Sequence, residues 1–137
     1  MRDYSIGQRA RAARTFTRED VEAYARLTGD ANPIHHDAAA ARAAGFEGPP
    51  VPAMLLGGMI SRLLGVELPG RGTNWMKQTL RFLSAAQVGE EIFATVEIVR
   101  LRPDKDLVNL RTLCARANGD VICEGEALVM AREMSGT

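Results

Sequence analysis

A strongly apolar segment in the middle of the chain constrains the fold more than any other feature. From Ala53 to Leu64 almost every residue is apolar, and only Ser61 and Arg62 interrupt the run. A helix that is apolar nearly all round is typical of a helix buried in a core. Pro52 suits the first position of a helix, so we expect this buried helix to begin there.

Two adjacent glycines lie inside this predicted helix. Gly57 and Gly58 weaken it by propensity. Such glycines are tolerated where a sheet or a ligand comes close to the helix backbone. The helix is followed by a loop containing Gly65 and Pro69-Gly70-Arg71-Gly72.

The C-terminal half has the two-residue period of β-strands with one buried face. Strands are predicted at about 75–82 and 92–99, then from about Leu107 to Arg116 and from Val121 to Met130. Turn signals at Val88-Gly89-Glu90 and Asn118-Gly119 fall between them. In the first strand one predicted face carries Met76, Gln78, Leu80 and Phe82.

The N-terminal part reads as a weak strand followed by helices. The strand spans about residues 9–16, and Thr17 then starts a helix with Asp20 placed as a near-match to a capping box. Gly29 is placed to end that helix. Asp37 can cap a short alanine-rich helix from Ala38 to Ala44.

These elements predict an α+β domain in which an antiparallel sheet wraps around one buried central helix, the outline of a hot-dog fold. The length of 137 residues favours a single domain over residues 1–137. An open sheet leaves an edge strand, and pairing two edges across a two-fold axis covers it. We therefore expect a homodimer.

Charge and composition exclude several classes of function. The chain has 17 Lys and Arg against 17 Asp and Glu and no basic stripe, which argues against nucleic acid as a partner. No stretch approaches the roughly 20 apolar residues that span a bilayer. The segment from Met1 to Tyr4 has no apolar region of a signal peptide, so a cytoplasmic location is expected.

The two cysteines flank the predicted Asn118-Gly119 turn symmetrically. A two-residue hairpin turn would place Cys114 opposite Cys123 on paired strands. A disulfide is conceivable there, but a reducing compartment favours two buried thiols that pack as small apolar residues.

The segment from Asp30 to His35, Asp-Ala-Asn-Pro-Ile-His, carries the candidate chemistry. Pro33 stiffens the backbone between a carboxylate and an imidazole, and such a pair converging on one water is a general acid–base pair that needs no cofactor. Purely structural roles also fit these residues. Asp30 can cap the next turn, Asn32 can form an Asx-turn, and His35 can be a structural histidine.

The stretch from Tyr24 to Asp37 resembles the motif of MaoC-like (R)-specific enoyl-CoA hydratases, the hydratase 2 family. That motif has an aromatic residue, a small residue and glycine, then Asp-x-Asn-Pro-aliphatic-His-x-Asp and a later small residue. The residues that fill it are Tyr24, Thr28, Gly29, Asp30, Asn32, Pro33, Ile34, His35, Asp37 and Ala43. Further matches are Leu63-Leu64-Gly65, Leu68-Pro69-Gly70, Gln78-x-Leu80-Arg81-Phe82, Val88-Gly89-Glu90 and Glu124-Gly125-Glu126-Ala127. The resemblance therefore runs from about Thr15 to Val129.

The resemblance implies that Asp30 and His35 are a catalytic dyad that activates water to attack C3 of a trans-2-enoyl thioester. The proton then reaches C2 from the same face, and the sequence does not say which member is the base. Asn32 matches a position that orients the dyad or the water. Ser61 matches a position near the site.

Leu64 and Leu128 match positions that shape the acyl pocket, although ordinary core packing explains these two leucines equally well.

The chain departs from the family pattern at the start of the central helix. The family has His-Gly-Met there, whereas this chain has Pro52-Ala53-Met54. In the family the glycine amide binds the thioester carbonyl, where a helix N-terminus stabilises the developing enolate oxygen. Ala53 keeps its N–H, and we expect it to point into the site, while its methyl group and the missing histidine affect the choice of substrate.

Substrate and competing functions follow from the same resemblance. The substrate is an acyl-CoA thioester, with CoA present as part of the substrate, and no metal or further cofactor is implied. Arg62, Arg71, Lys77 and Arg81 are candidates to bind the CoA phosphates, although solvated surface charge also explains them. The alternatives are a hot-dog acyl-CoA thioesterase, a non-catalytic acyl-thioester-binding subunit, and a dehydratase acting on carrier-protein thioesters.

Overall fold

A computed structural model describes residues 3–132, in which five strands form one antiparallel sheet in the order β1-β3-β4-β5-β2. Residues 1, 2 and 133–137 lie outside the described part. Met1 and Arg2 of the N-terminal segment discussed above are therefore not described. The strands are β1 (Arg9–Thr15), β2 (Thr73–Phe82), β3 (Glu91–Arg102), β4 (Leu107–Arg116) and β5 (Val121–Ala131). The hot-dog prediction is confirmed.

The N-terminal helices lie within one residue of their predicted bounds, since Thr17 is the N-cap of the first helix and Ala44 the C-cap of the second. Helix α1 (Arg18–Thr28) has Thr17 as N-cap in a reciprocal capping box with Asp20, and Gly29 ends it with a φ of 81°. Helix α2 (Ala38–Ala43) is capped by the side chain of Asp37. These caps are short-range interactions, and therefore the sequence alone placed them correctly.

The central helix α3 (Ala53–Arg62) continues into a π-helical turn (Leu63–Glu67). Pro52 is its N-cap and not its first residue, so the predicted start is one residue early. One face of α3 packs on the sheet through Leu56 and Ile60. The other face is open in the single chain, and Met54 is 55% exposed. The predicted central helix is therefore buried on the side that packs on the sheet and exposed on the other.

The sheet makes no close approach to the glycines of α3. A Cβ on Gly58 has no heavy atom within 4 Å, and one on Gly57 meets only the end of the Met54 side chain at 3.1 Å. The close approach lies in the sheet instead. A Cβ on Gly125 of β5 lies 1.7 Å from the carbonyl oxygen of Thr79 in β2, so only glycine fits there.

A β-bulge changes which residues of β2 face the central helix. The pairing of β2 with β5 shifts between Trp75 and Lys77, and Trp75 packs against the core while Met76 is 51% exposed. The predicted alternation, which puts Met76 on one face with Gln78 and Leu80, is therefore broken at the bulge. Trp75 Nε1 donates to Gln78 Oε1 at 3.0 Å, and Gln78 Nε2 donates to the hydroxyl of the fully buried Thr112 at 2.9 Å.

The two cysteines face each other across β4 and β5, as predicted. Cys114 pairs with Cys123, and both are buried free thiols. Their mutual hydrogen bond and burial raise the pKa of Cys114, which keeps that thiol protonated. The hairpin turn is longer than the predicted two residues, because Arg116 N donates to Asp120 O and the pairing shifts after Cys114.

Candidate active site

The segment between α1 and α2 is fixed by a series of short-range hydrogen bonds. The hydroxyl of Thr28 accepts from the N–H of Asp30 at 3.1 Å, and Asp30 Oδ1 accepts from the N–H of Asn32 at 3.3 Å. Asn32 Oδ1 then caps a 3₁₀ turn (Pro33–His35) by accepting from the N–H of Ile34 at 3.3 Å. The backbone that carries Asp30 and His35 is therefore ordered locally.

The ring of His35 is oriented by a backbone carbonyl. Its Nδ1 lies 2.7 Å from the carbonyl oxygen of Pro50. A carbonyl oxygen only accepts hydrogen bonds, so Nδ1 carries the hydrogen and donates it to Pro50. Nε2 of the neutral ring is then left with a lone pair that can accept a proton.

Asp30 and His35 line one cavity of about 370 Å³. Its buried floor is formed by apolar residues, and more exposed side chains such as Met54 and Phe82 lie at its mouth. The lining residues are Tyr24, Asp30, Ile34, His35, Phe46, Pro50, Val51, Ala53, Met54, Leu56, Phe82, Ser84, Ala85 and Ala86. This is a mainly apolar cleft with few polar groups, the usual form of a small-molecule site.

The N-terminus of α3 opens into the same cavity. Ala53 and Met54 line it, and no side chain caps the first amides of the helix. Leu55 N–H donates back to Pro52 O at 3.0 Å. Uncapped amides and the positive end of the helix dipole favour negative charge on a bound ligand at this position.

Two of the predicted pocket residues lie away from this cavity. Leu64 is 1% exposed and belongs to the core between α3 and the sheet. Leu128 lies on the outward face of β5, while its neighbours Ala127 and Val129 are fully buried against the central helix. The structure of the single chain therefore does not bring these two leucines to the dyad.

The other predicted polar and basic residues lie outside the lining of this cavity. Asn32 is exposed and caps the turn between the dyad residues, and Ser61 is exposed on α3 outside the lining. Arg62 lines a different cavity, between α1 and α3, and pairs with Glu67 at 3.5 Å. The remaining basic candidates, Arg71, Lys77 and Arg81, are exposed and lie outside the cavity lining.

Several lining residues were not singled out from the sequence. Phe46, Val51 and Leu56 come from the segment between α2 and the first turns of α3, and Ser84 with its neighbours comes from the loop after β2. The rigid Pro49-Pro50-Val51-Pro52 segment was a signal for a fixed structural element. Nothing in Ser84-Ala85-Ala86 indicates a binding site, because its position depends on pairing between distant parts of the chain.

Within residues 3–132 no group of three or more His, Cys, Asp or Glu side chains is placed to hold a metal ion. No helix in that range is long and apolar enough to cross a membrane.

A family model described as a MaoC-like domain matches residues 5–115. The chain belongs to the MaoC-like domain family. The resemblance found in the motif from Tyr24 to Asp37 is thereby confirmed at the level of the family.

The relatives of this MaoC-like chain include both hydratases and dehydratases. An (R)-specific enoyl-CoA hydratase of Aeromonas caviae is 41% identical over 124 residues, covering 90% of this chain and 92% of that protein. A mitochondrial 3-hydroxyacyl-[acyl-carrier-protein] dehydratase of Solanum lycopersicum is 39% identical over 127 residues, covering 91% and 76%. The chain is therefore an enzyme of the hydratase and dehydratase class.

The fold agrees with that of a solved member of this class. The structure of an (R)-hydratase from A. caviae involved in PHA biosynthesis superposes with a TM-score of 0.92 at 39% identity, covering 96% of this chain and 100% of that one.

Proposed function

We propose that this protein catalyses (R)-specific hydration of trans-2-enoyl-CoA to (R)-3-hydroxyacyl-CoA, and the reverse dehydration, with Asp30 and His35 activating water. The observation that carries the proposal is that both side chains line one apolar cavity together with the uncapped N-terminus of α3. The similarity to (R)-specific enoyl-CoA hydratases over about nine-tenths of the chain supports the same reaction.

The proposed proton transfers follow from the hydrogen bond of His35. Because Nδ1 donates to Pro50 O, Nε2 is the ring atom that takes a proton from water. Asp30 accepts the second hydrogen of that water and orients it. The hydroxide oxygen bonds to C3, and His35 returns the proton from Nε2 to C2 on the same face, so one water is consumed.

The negative charge that develops on the thioester oxygen needs a donor before C2 is protonated. The free N–H groups at the start of α3 are well suited, and we propose that Ala53 N–H binds this oxygen. The chemistry uses only water and side chains, and no cofactor is required beyond the CoA that belongs to the substrate. Asn32, Ser61 and Met54 remain proposed substrate-side residues.

The thioester carrier distinguishes two forms of the proposal. In the second form the same reaction runs in reverse on an acyl group bound to a carrier protein, and the similarity to a 3-hydroxyacyl-[acyl-carrier-protein] dehydratase supports it. Turnover of one acyl group presented on CoA and on a carrier protein separates the two forms. A thioesterase would instead release free thiol, which hydration does not.

The dyad is tested by removing each member. We expect Asp30→Asn and His35→Ala to lower kcat by about 10²- to 10⁴-fold, because each removes a group that handles the proton. The measurement is loss of enoyl absorbance with a parallel assay for free thiol, and the chirality of the product is determined. His36→Gln is the matched control, because His36 adjoins the dyad turn but lines a different cavity. Full turnover in His35→Ala would remove the dyad from the proposal.

We also propose a homodimer in which an edge of the sheet is covered. Strands β1 and β2 are the two edges, and exposed apolar side chains lie on and next to β2 and on the open face of α3. These are Met54, Met76, Phe82 and Leu83. Light scattering on the purified protein should give twice the chain mass, whereas a monomer at micromolar concentration would contradict this proposal.

The number of domains and the location of the protein are also proposed. We propose that residues 1–137 form a single MaoC-like domain, which is supported by one continuous core cluster between the sheet and α3. We also propose a cytoplasmic location, which rests on the residues alone.

A further inference from the structure

Arg116, at the end of β4, makes three hydrogen bonds to one loop. Its Nε donates to Glu90 Oε2 at 2.9 Å and its Nη1 to the hydroxyl of Ser84 at 2.8 Å, while Nη2 donates to the carbonyl oxygen of Ala85. The side chain is only 21% exposed. A partly buried guanidinium that uses all three nitrogens is held in a fixed orientation.

The loop that Arg116 holds is itself closed and lines the cavity. Glu90 Oε1 accepts from Gln87 N–H at 3.1 Å, so the same carboxylate joins the guanidinium to the loop backbone. Ser84, Ala85 and Ala86 are part of the cavity wall. The guanidinium therefore fixes one side of the catalytic cavity from outside it.

This loop also fixes the segment that orients His35. Ala86 O accepts from Val51 N–H at 2.7 Å, and Pro49 O accepts from Val88 N–H at 3.1 Å. These two bonds lie on either side of Pro50, which forms an isolated β-bridge with Gln87. The carbonyl oxygen of Pro50 in turn accepts from His35 Nδ1 at 2.7 Å.

We propose that Arg116 is a positioning residue for His35, acting through the 84–90 loop and the carbonyl of Pro50. The proposal rests on the function proposed for His35. In this role Arg116 holds the carbonyl oxygen of Pro50 in place, and that oxygen keeps the hydrogen on Nδ1 of His35. A lysine cannot replace it, because one ammonium cannot reach Glu90, Ser84 and Ala85 in the fixed geometry of a guanidinium.

The test compares Arg116→Gln and Arg116→Lys with Arg111→Gln. Arg111 is the matched control because it lies on the same strand, with its side chain 65% exposed on the outward face. We expect Arg116→Gln to lower kcat on the order of tenfold or more with little change in KM, because a small displacement of a catalytic group is costly. Arg116→Lys keeps the charge beside Glu90 and should lie between Arg116→Gln and the wild type.

A nitrogen NMR spectrum provides the readout that a merely structural role would not move. The chain has two histidines, so the ring nitrogens of His35 can be assigned by comparison with His36→Gln. We expect the wild type and Arg111→Gln to hold the Nδ1–H tautomer of His35, and Arg116→Gln to lose this preference. Should Arg116→Gln fail to fold, the lysine variant carries both measurements.

The outcomes separate this proposal from the function on which it rests. Activity that survives His35→Ala overturns the dyad. An inactive His35→Ala beside an Arg116→Gln that keeps wild-type kcat or the Nδ1–H tautomer overturns the role of Arg116 and leaves the dyad intact. Loss of both kcat and the tautomer in a variant with wild-type thermal stability supports the positioning role.

Discussion

The two walls of the cavity lined by Asp30 and His35 are held by hydrogen bonds of very different reach along the chain. The dyad wall, Thr28–His35, is held by side-chain to backbone bonds between residues two apart. The loop wall, Phe82–Ala86, is held by Arg116 and by Ile122 O, which accepts from Leu83 N–H at 2.8 Å. One wall forms from its own sequence, and the other depends on strands that are distant in the chain.

The two walls also differ in what they contribute to the proposed reaction. The dyad wall carries the groups that are proposed to move protons, and it can be specified in one short motif. The loop wall supplies shape and, through Pro50, orients the ring of His35. A change in the dyad wall should therefore affect turnover with little effect on the fold, whereas a change in the paired strands behind the loop wall should affect stability.

The largest effect is expected behind the loop wall, at Gly125. It pairs with Leu80 of β2, the strand that ends at Phe82, and an added Cβ would lie 1.7 Å from the carbonyl oxygen of Thr79. The clash is with backbone and cannot be relieved by a side-chain rotation. We expect Gly125→Ala to lower the free energy of unfolding by about 3 kcal/mol or more, measured by urea denaturation.

A second glycine provides the control for this prediction. Gly58 lies inside α3, and an added Cβ there has no heavy atom within 4 Å. Gly58→Ala should raise the free energy of unfolding by about 0.5–1 kcal/mol, because alanine is the better helix former. Equal stability of Gly125→Ala and the wild type would mean that β2 and β5 can separate without cost, and the contrast between the two walls would fail.

The sequence predicted those features whose causes lie within a few residues of each other. The capping box of Thr17 and Asp20, the end of α1 at Gly29 and the cap at Asp37 all form as expected, because each needs only one turn of chain. The alternation of apolar residues also located the C-terminal strands. The dyad segment was singled out by its residues and by the family motif.

The features that the sequence did not predict depend on register between strands. The bulge after Trp75 moves Met76 outward, and an alternating pattern does not reveal an inserted residue. Leu128 was assigned to the acyl pocket but lies on the outward face of β5, since neighbouring residues of a strand point to opposite sides. Arg116 carried no local signal, because its partners are 26 to 32 residues away.

The smallest effect is expected at Asp20, in the first turn of α1, the helix whose other end leads into the dyad wall. Its carboxylate accepts from Thr17 N–H at 2.9 Å and from Arg14 at 3.1 Å. The backbone hydrogen bond from Thr17 is the largest cause that lowers the pKa of Asp20 below its usual 3.8, and Arg14 adds to it. A pKa lowered by folding stabilises the protein above the usual value, and this contribution is lost as the pH falls through the folded value.

Asp20→Asn should therefore be less stable than the wild type near neutral pH, and the difference should be smaller in acid. We expect the difference in unfolding free energy between wild type and variant to be below about 1 kcal/mol, because solvent screens this partly exposed pair. The difference should shrink as the pH falls through the lowered pKa of Asp20, below which the carboxylate is protonated in both the folded and the unfolded state. Asp104→Asn is the control, because Asp104 is exposed and has no ion pair within residues 3–132. A difference independent of pH would mean that the neutral cap, and not the charge, holds the start of α1, the helix that precedes the dyad wall.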